Sequence, residues 1–366
     1  MKNFFEPEYV IEVADSQLGM KSILVIDNTV LGPGKGGIRM TPTVTTEEVK
    51  RLARTMTWKN ALAGLPFGGA KAGMVWSGTD PKQKQAQVQS FARALKPFLI
   101  KKYVAGPDVN SGEREMAWFA GAAGNRRAAT GKPRRLGGLP HELGSTGFGV
   151  AEAVRAVTEI LNLPLANLTV AIDGFGNVGT FAMKFLMEMG ARVVAVADSG
   201  GTIYNQAGLP LKELLKWKQT KRTVATFPGG QKLSRGDVFS LAVDVLIPAS
   251  VTDVINKHNQ NEVRAKIIVE GANIPMPEAV EEELSARGVL IVPDFIANAG
   301  GVISSYAEYR GWSAEKMFKL VEQKISLLTK QVITASLAQK KNPRAVALAL
   351  AEAKIRAAMK KRRAVF

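Results

Sequence analysis

Three lysines and one aspartate are the side chains in this sequence best placed to do chemistry. Lys35 sits in the glycine-dense run Leu31-Gly32-Pro33-Gly34-Lys35-Gly36-Gly37, Lys71 ends a second such run, Gly68-Gly69-Ala70-Lys71, and Asp108 follows Pro107 in Gly106-Pro107-Asp108-Val109-Asn110. Glycine at such density lets backbone approach a neighbour closely, and both lysine runs are expected to be loops. Lys59 stands out for another reason. Thr45 and Glu48 fit a capping box, Val49, Leu52, Met56 and Ala63 repeat at helical spacing, and the same rhythm puts Lys59 on their face. A lysine turned inward is uncommon enough to be a site candidate. Each of the four also has a plain structural reading: a lysine in a glycine loop can be solvated, an aspartate after proline often forms a turn, and a lysine on an apolar face can run its stem along that face to reach water. Other proton carriers are few. With no cysteine and only His141 and His258, the chain has no thiolate nucleophile, disulfide or zinc-thiolate site and little for a histidine metal site, so acid-base work falls to Lys, Asp, Glu or Tyr. No metal is expected, and His141 is read as a packing or hydrogen-bonding residue.

A third glycine run carries a different chemistry. Gly174-Phe175-Gly176-Asn177-Val178-Gly179 lies between a strand-like run, Leu168 to Asp173, and a helical run, Val178 to Met189. A second strand-like run, Arg192 to Ala197, is closed by Asp198, 24 positions after Gly174. In that context the spacing reads as a dinucleotide-binding fingerprint. Gly174 permits the tight turn, Gly176 lets backbone reach a pyrophosphate, and Gly179 lets the helix pack on the strand with its N-terminus facing the negative charge. Asp198 is expected to accept from the ribose 2′-hydroxyl and to repel a 2′-phosphate, which favours NAD; Ser199 beside it and the basic chain leave NADP open.

The elements that must hold these groups follow an α/β pattern. Ile23 to Ile26 reads as a strand, Met74 to Trp76 as another, Gln83 to Leu99 as helix, and Tyr103 to Asn110 as a strand running into a loop. Gly124 to Ser145, rich in Gly, Arg and Pro, reads as the approach to a domain boundary. Beyond it, the apolar runs Val243 to Ile247, Ile267 to Val269 and Val289 to Val292 alternate with helical stretches, as in a parallel sheet wrapped by helices. After residue 301 the chain turns helical, with Phe318, Val321, Ile325, Leu328 and Val332 on one face. Residues 1–145 are thus expected to form one α/β domain, 146–300 a Rossmann-type dinucleotide-binding domain, and 301–366 a helical segment.

With 366 residues, 46% apolar and 22% charged, the chain can support two cores. No run approaches the ~18 apolar residues of a membrane helix and the N-terminus lacks a signal-peptide core, so a cytoplasmic, non-membrane protein is expected. The excess of 49 Lys+Arg over 32 Asp+Glu, a net charge of +17, favours anionic partners. Its clusters, Arg126-Arg127, Arg134-Arg135 and Lys360 to Arg363, lack interleaved aromatics. That reads as solvated surface, against nucleic acid.

Six motifs occur here in one order: Gly34-Lys35-Gly36-Gly37-Ile38-Arg39, Met56-Thr57-Trp58-Lys59-Asn60, Gly68-Gly69-Ala70-Lys71, Pro107-Asp108-Val109-Asn110, the fingerprint at 174–179, and Asn298-Ala299-Gly300-Gly301-Val302. Together they resemble the Glu/Leu/Phe/Val dehydrogenase family from about residue 20 to about residue 310, the last fifty residues matching only in being helical. The resemblance implies that Lys71 is the catalytic lysine, that Asp108 moves a proton to and from the substrate nitrogen, and that Lys59 holds the α-carboxylate. A lysine crowded by cations and partly desolvated has its pKa pushed down and can activate the water that attacks an iminium carbon. Lys35, Lys59 and Lys71 converging would do this and would suit a dianionic substrate. Thr146 and Asn298 match positions near the nicotinamide, and Asn273 joins Asn177 and Val178 of the fingerprint as a cofactor-binding position. The implied reaction is hydride transfer from an amino-acid Cα to the nicotinamide, then hydrolysis of the imino acid, with two domains closing to shut out water. The resemblance also implies that the first domain, 1–145, binds the substrate and that the last helices, 301–366, pack back on it. The implied assembly is a hexamer or other homo-oligomer held through the first domain.

For the substrate, Lys35 stands where leucine-type members have an apolar residue and glutamate-type members a lysine, and Ser305 stands where glutamate-type members use a hydroxyl. Both point to L-glutamate and 2-oxoglutarate, with ammonia. The short segment before the first motif is leucine-like and points instead to a branched or aromatic amino acid. Ala72, in place of a frequent glycine, and Asp173, at the strand end before the fingerprint, depart from the family pattern. A non-catalytic, basic nucleic-acid-binding protein on a dinucleotide fold is the distant alternative.

Overall fold

The computed structural model describes residues 6–140 and 143–363, so the reading of His141 lies outside the described residues. The chain divides into two units, one of residues 1–143, 302–317 and 348–366, the other of residues 144–301 and 318–347.

In the first unit, β1 (Tyr9–Asp15) and β2 (Met20–Asn28) form an antiparallel pair, followed by β3 (Gly34–Thr41), α1 (Thr46–Leu62), β4 (Gly68–Val75), α2 (Pro81–Ala94), β5 (Tyr103–Pro107) and α3 (Glu113–Ala123). The sheet order is β1-β2-β4-β3-β5, with β3 parallel to both β4 and β5. The two lysine-bearing glycine runs, expected as loops, are strands at the centre of this sheet. Their glycines serve close packing of strand on strand and helix on strand. A Cβ on Gly36 would stand 1.6 Å from the Ala70 carbonyl oxygen, and one on Gly69 would stand 2.1 Å from the Thr57 hydroxyl on α1. β1 was not anticipated because it is an edge strand with a mostly exposed side-chain row. Thr45 caps α1, accepting from the Glu48 N–H at 3.2 Å, while the Glu48 carboxylate turns to Arg39 and leaves the capping box half made. The core gathers Leu24, Ile26, Ile38, Met74, Phe91, Tyr103 and Phe119 against α2 and α3.

In the second unit, α4 (Ser145–Ile160) leads to β6 (Thr169–Asp173), α5 (Asn177–Glu188), β7 (Arg192–Asp198), β8 (Gly201–Tyr204), α6 (Leu211–Lys221), β9 (Gln231–Leu233) and α7 (Asp237–Ser240). β10 (Val245–Pro248), β11 (Ile267–Val269), α8 (Glu278–Ala286), β12 (Leu290–Val292) and α9 (Asp294–Ala297) complete the sheet. Its order is β12-β11-β10-β6-β7-β8-β9. The first five strands of that order are parallel, as their continuous apolar runs require, and β8 and β9 add an antiparallel edge that alternation alone did not reveal. The chain goes on through α10 (Gly300–Tyr309), α11 (Ala314–Gln339) and α12 (Pro343–Arg363), of which residues 302–317 and those from 348 on belong to the first unit and 318–347 to the second. Val321, Ile325, Leu328 and Val332 of α11 are buried, as their spacing predicts. Among the described residues no helix is long and apolar enough to cross a membrane.

Candidate active site

Lys71, on β4, and Asp108, immediately after β5, meet as an ion pair with side chains 10% and 15% exposed. They are separated by β3, and Gly37 is the residue between them. The register pairs Ile38 with Ala72 on one side and with Pro107 on the other, which sets Gly37 beside Lys71. A Cβ on Gly37 would fall 2.5 Å from the Pro107 carbonyl oxygen and 2.8 Å from the Asp108 Cβ. The turn carrying Asp108 is braced locally. The Asp108 N–H donates to the Ser111 hydroxyl at 3.0 Å, and that hydroxyl donates to the Ile38 carbonyl at 2.6 Å. Asn110 takes a left-handed φ of 55° and its carbonyl accepts from Lys84 at 2.7 Å. Burial pushes the Asp108 carboxyl up, but Lys71 and then Arg39 outweigh it and hold the group below the usual aspartate value.

Lys35, on β3, is 3% exposed and gives one of its three donors to the Ala105 carbonyl at 3.0 Å. Burial lowers its pKa to about 7; Glu308 opposes the shift, and Lys132 and Lys71 add to it. Lys132 and Lys71 thus crowd Lys35 with positive charge. Glu308 was missed in the sequence. From α10 it accepts from Lys132 Nζ and from the N–H groups of Gly131 and Leu139, 177 and 169 positions away, and no local pattern could signal such a contact. Ser305, one helical turn earlier on α10, is half-buried. Lys59 is 6% exposed. Its face of α1 is buried at Val49, Lys59 and Ala63 but only half-buried at Leu52 and Met56, because the deepest stripe runs through Ala53, Thr57 and Asn60.

The second unit brings the other group of residues together. Gly174 has φ 104°, open to glycine alone without strain, and a Cβ on Gly179 would stand 1.8 Å from the Gly174 carbonyl oxygen. A Cβ on Gly176 would meet nothing within 4 Å, and no side chain caps α5 there. The open space and the uncapped helix start fit a pyrophosphate. Gly176 and Asn177 are exposed and Val178 is half-buried. Asn298 donates to the Asn273 side chain at 3.0 Å and to the carbonyls of Gly271 and Ala272. Thr146, half-buried in the first turn of α4, lies against Gly301, where a Cβ would be 3.0 Å from its hydroxyl. Beside Asn273, Ile274 holds a φ of 49°, a strained value for a β-branched residue. Asp173 is fully buried, accepts from the Ser250 hydroxyl and has its carboxyl pushed up by burial.

Asp198 is 8% exposed, and its acceptor positions are in use. One oxygen accepts from the Gly200 N–H at 2.9 Å and the Thr223 hydroxyl at 2.7 Å, and the other from the Val224 N–H at 2.9 Å, with Lys218 Nζ at 3.4 Å. These account for the roughly four lone-pair positions of a carboxylate. Next to it opens a pocket of about 450 Å³ lined by Ser199, Gly200, Lys232, Ser234, Arg235 and Asp237.

Comparison with known proteins agrees with this architecture along nearly the whole chain. The family described as Glu/Leu/Phe/Val dehydrogenase, dimerisation domain, matches residues 7–124, and Glutamate/Leucine/Phenylalanine/Valine dehydrogenase matches residues 137–363. The second match runs through α11 and α12, well past the last motif recognised in the sequence. A glutamate dehydrogenase of Aeropyrum pernix is 42% identical over 84% of this chain and 77% of its own length. An NADP-specific glutamate dehydrogenase of Saccharolobus shibatae is 40% identical over 77% of this chain and 69% of its own. The structure of a hetero-hexameric glutamate dehydrogenase from Thermus thermophilus superposes with a TM-score of 0.87 at 28% identity, covering 98% of this chain and 91% of that one. The chain belongs to the Glu/Leu/Phe/Val dehydrogenase family.

Proposed function

We propose that the protein catalyses the reversible oxidative deamination of L-glutamate to 2-oxoglutarate and ammonia with a nicotinamide dinucleotide, the first unit binding the substrate and the second the cofactor. The observation that carries this is the Lys71–Asp108 pair with a second, buried lysine, Lys35, within electrostatic reach of Lys71. The bound nicotinamide supplies the hydride acceptor. Asp108 takes the proton from the substrate ammonium, Lys71 activates the water that attacks the imino carbon, Lys59 pairs with the α-carboxylate, and Lys35 with Ser305 receives the distal carboxylate. Thr146, Asn273 and Asn298 hold the carboxamide side of the cofactor. The named relatives support the substrate; the dimerisation-domain match and the hetero-hexameric Thermus relative support an oligomer, which we take to be a homo-oligomer built through the first unit. We place the enzyme in the cytoplasm. The test of the reaction is isotopic: [2-²H]glutamate must yield reduced cofactor carrying the deuterium, and unlabelled reduced cofactor would sink the assignment.

The value of about 7 at Lys35 gives this reading a pH signature. Above pH 7 the ligand-free amine is mostly neutral, and an incoming carboxylate favours its charged form. Binding of 2-oxoglutarate near pH 8.5 is therefore expected to take up close to one proton, and near pH 6 almost none. Calorimetry in buffers of different ionisation enthalpy measures this. Uptake at pH 8.5 that is absent, or unchanged in Lys35→Met, would remove Lys35 from the substrate site.

For the finer choice of cofactor we favour NADP over the NAD expected from Asp198. The Asp198 carboxylate is committed to its own loop, and the adjoining pocket offers Lys232, Arg235, Ser199 and Ser234 at the place where dinucleotide folds meet the ribose 2′ position, against one opposing carboxylate, Asp237. Arg235→Ala is expected to lower kcat/KM for NADP roughly tenfold, as an exposed charge-assisted contact to phosphate is lost, and to leave NAD within about threefold. A parent enzyme preferring NAD tenfold would overturn the choice.

A further inference from the structure

Asp108 has a second cationic neighbour that the proposed chemistry does not use. Arg39, on β3, places Nε 3.4 Å from Asp108 Oδ2, and its Nη1 donates to Glu48 Oε1 at 2.6 Å. The side chains of Arg39, Asp108 and Glu48 are 22%, 15% and 27% exposed. Lys71 on β4, Asp108 after β5, Arg39 on β3 and Glu48 in the first turn of α1 thus form a row of alternating charge across three strands and a helix. Resting on the function above, we propose that Arg39 is a positioning residue that fixes the Asp108 carboxylate and keeps it ionised between proton transfers, with Glu48 setting how strongly it does so.

The physical need follows from Lys71. While Lys71 pairs with Asp108 the carboxylate has its countercharge, but a lysine that turns to activate water or meets a substrate withdraws it. A carboxylate this deeply placed would then be pushed toward its neutral form by burial and would no longer accept a proton. Arg39 cannot lose its charge and, held by Glu48, cannot follow the substrate. The other groups facing Asp108 do not replace it. Tyr103, from β5, is buried with its hydroxyl given to the Gly36 carbonyl at 3.1 Å, and Ser111 is committed to the Ile38 carbonyl. Glu48 partly neutralises Arg39, so the two residues pull the Asp108 proton affinity in opposite directions. A purely structural tie between β3 and α1 would make loss of either partner act alike.

The experiment compares the acid limb of the kcat–pH profile for glutamate oxidation in the parent, Arg39→Met, Arg39→Lys and Glu48→Gln. In Arg39→Met the limb is expected to move up by about one pH unit, with kcat below the limb falling about tenfold and KM for glutamate changing less than threefold. Arg39→Lys restores most of the shift, and Glu48→Gln moves the limb down by a few tenths of a unit. Limbs that move the same way in Arg39→Met and Glu48→Gln, or that do not move, overturn the proposal; if Arg39→Met does not fold, the charge-removing Arg39→Gln takes its place, and its displacement must again be opposite to that of Glu48→Gln. A parent without glutamate activity would instead refute the proposed function. The Arg39 role would then be judged on the Asp108 carboxyl itself, followed by ¹³C NMR with Asp108→Asn for assignment. A carboxyl titrating higher in Arg39→Met than in the parent, and brought most of the way back in Arg39→Lys, supports it, and one unchanged in Arg39→Met overturns it.

Discussion

Lys71→Ala is expected to lower kcat for glutamate oxidation by about three orders of magnitude or more, while the protein folds and binds its dinucleotide as the parent does. An acid-base group contributes ~10²–10⁴ on its own, and a cation at developing negative charge adds to that. Folding should survive because the substitution removes one member of a pair whose other member, Asp108, keeps Arg39 as a countercharge 3.4 Å away. The fingerprint residues belong to the other unit, so cofactor affinity has no reason to change. Single-turnover measurement of hydride transfer and of imine hydrolysis separates the two steps, and the loss should fall mainly on hydrolysis. Activity within tenfold of the parent would remove Lys71 from the mechanism.

Lys35→Leu combined with Ser305→Val is expected to collapse activity on glutamate and raise it on leucine, norvaline or methionine. Truncating one member of a buried charge pair costs about 2–5 kcal/mol. The structure argues for the lower part of that range, because Lys35 keeps the Ala105 carbonyl as a partner and lies in the field of Glu308, so an apolar ligand does not strip it of every interaction. About 2–3 kcal/mol corresponds to roughly 30- to 150-fold in kcat/KM for glutamate over leucine, and the double variant should forfeit that ratio. Equal loss on every amino acid would mean that the pair supports the fold and does not select the side chain.

How far the sequence could be read depended on the range of the interactions involved. The fingerprint was legible because its strand, turn and helix are consecutive and each glycine answers a local demand: the positive φ at Gly174, the open approach at Gly176, the contact at Gly179. Lys59 was legible from helical periodicity, although the buried stripe is centred one residue away from the apolar one. The runs holding Lys35 and Lys71 were read as loops because glycine usually marks turns; here it serves three strands packed so that Lys71 and Asp108 meet past Gly37, a demand visible only once the sheet is assembled. Glu308 and Lys132, which meet each other across 176 positions, both act on Lys35 from far along the chain, beyond any spacing rule. Asp198 stood at the expected place, but its partners Thr223 and Val224 come from a loop 25 and 26 residues on, and they decide what the carboxylate has left to offer a ribose.

The central claim, a glutamate-specific deaminating dehydrogenase, is tested most directly by the kcat/KM of the purified protein for L-glutamate against leucine, valine, phenylalanine and tryptophan, each with NAD and NADP, followed by absorbance of the reduced nicotinamide. The account predicts glutamate at least about thirtyfold above every other amino acid with either cofactor. Oxidation of leucine or phenylalanine at a rate equal to or above that of glutamate would contradict it.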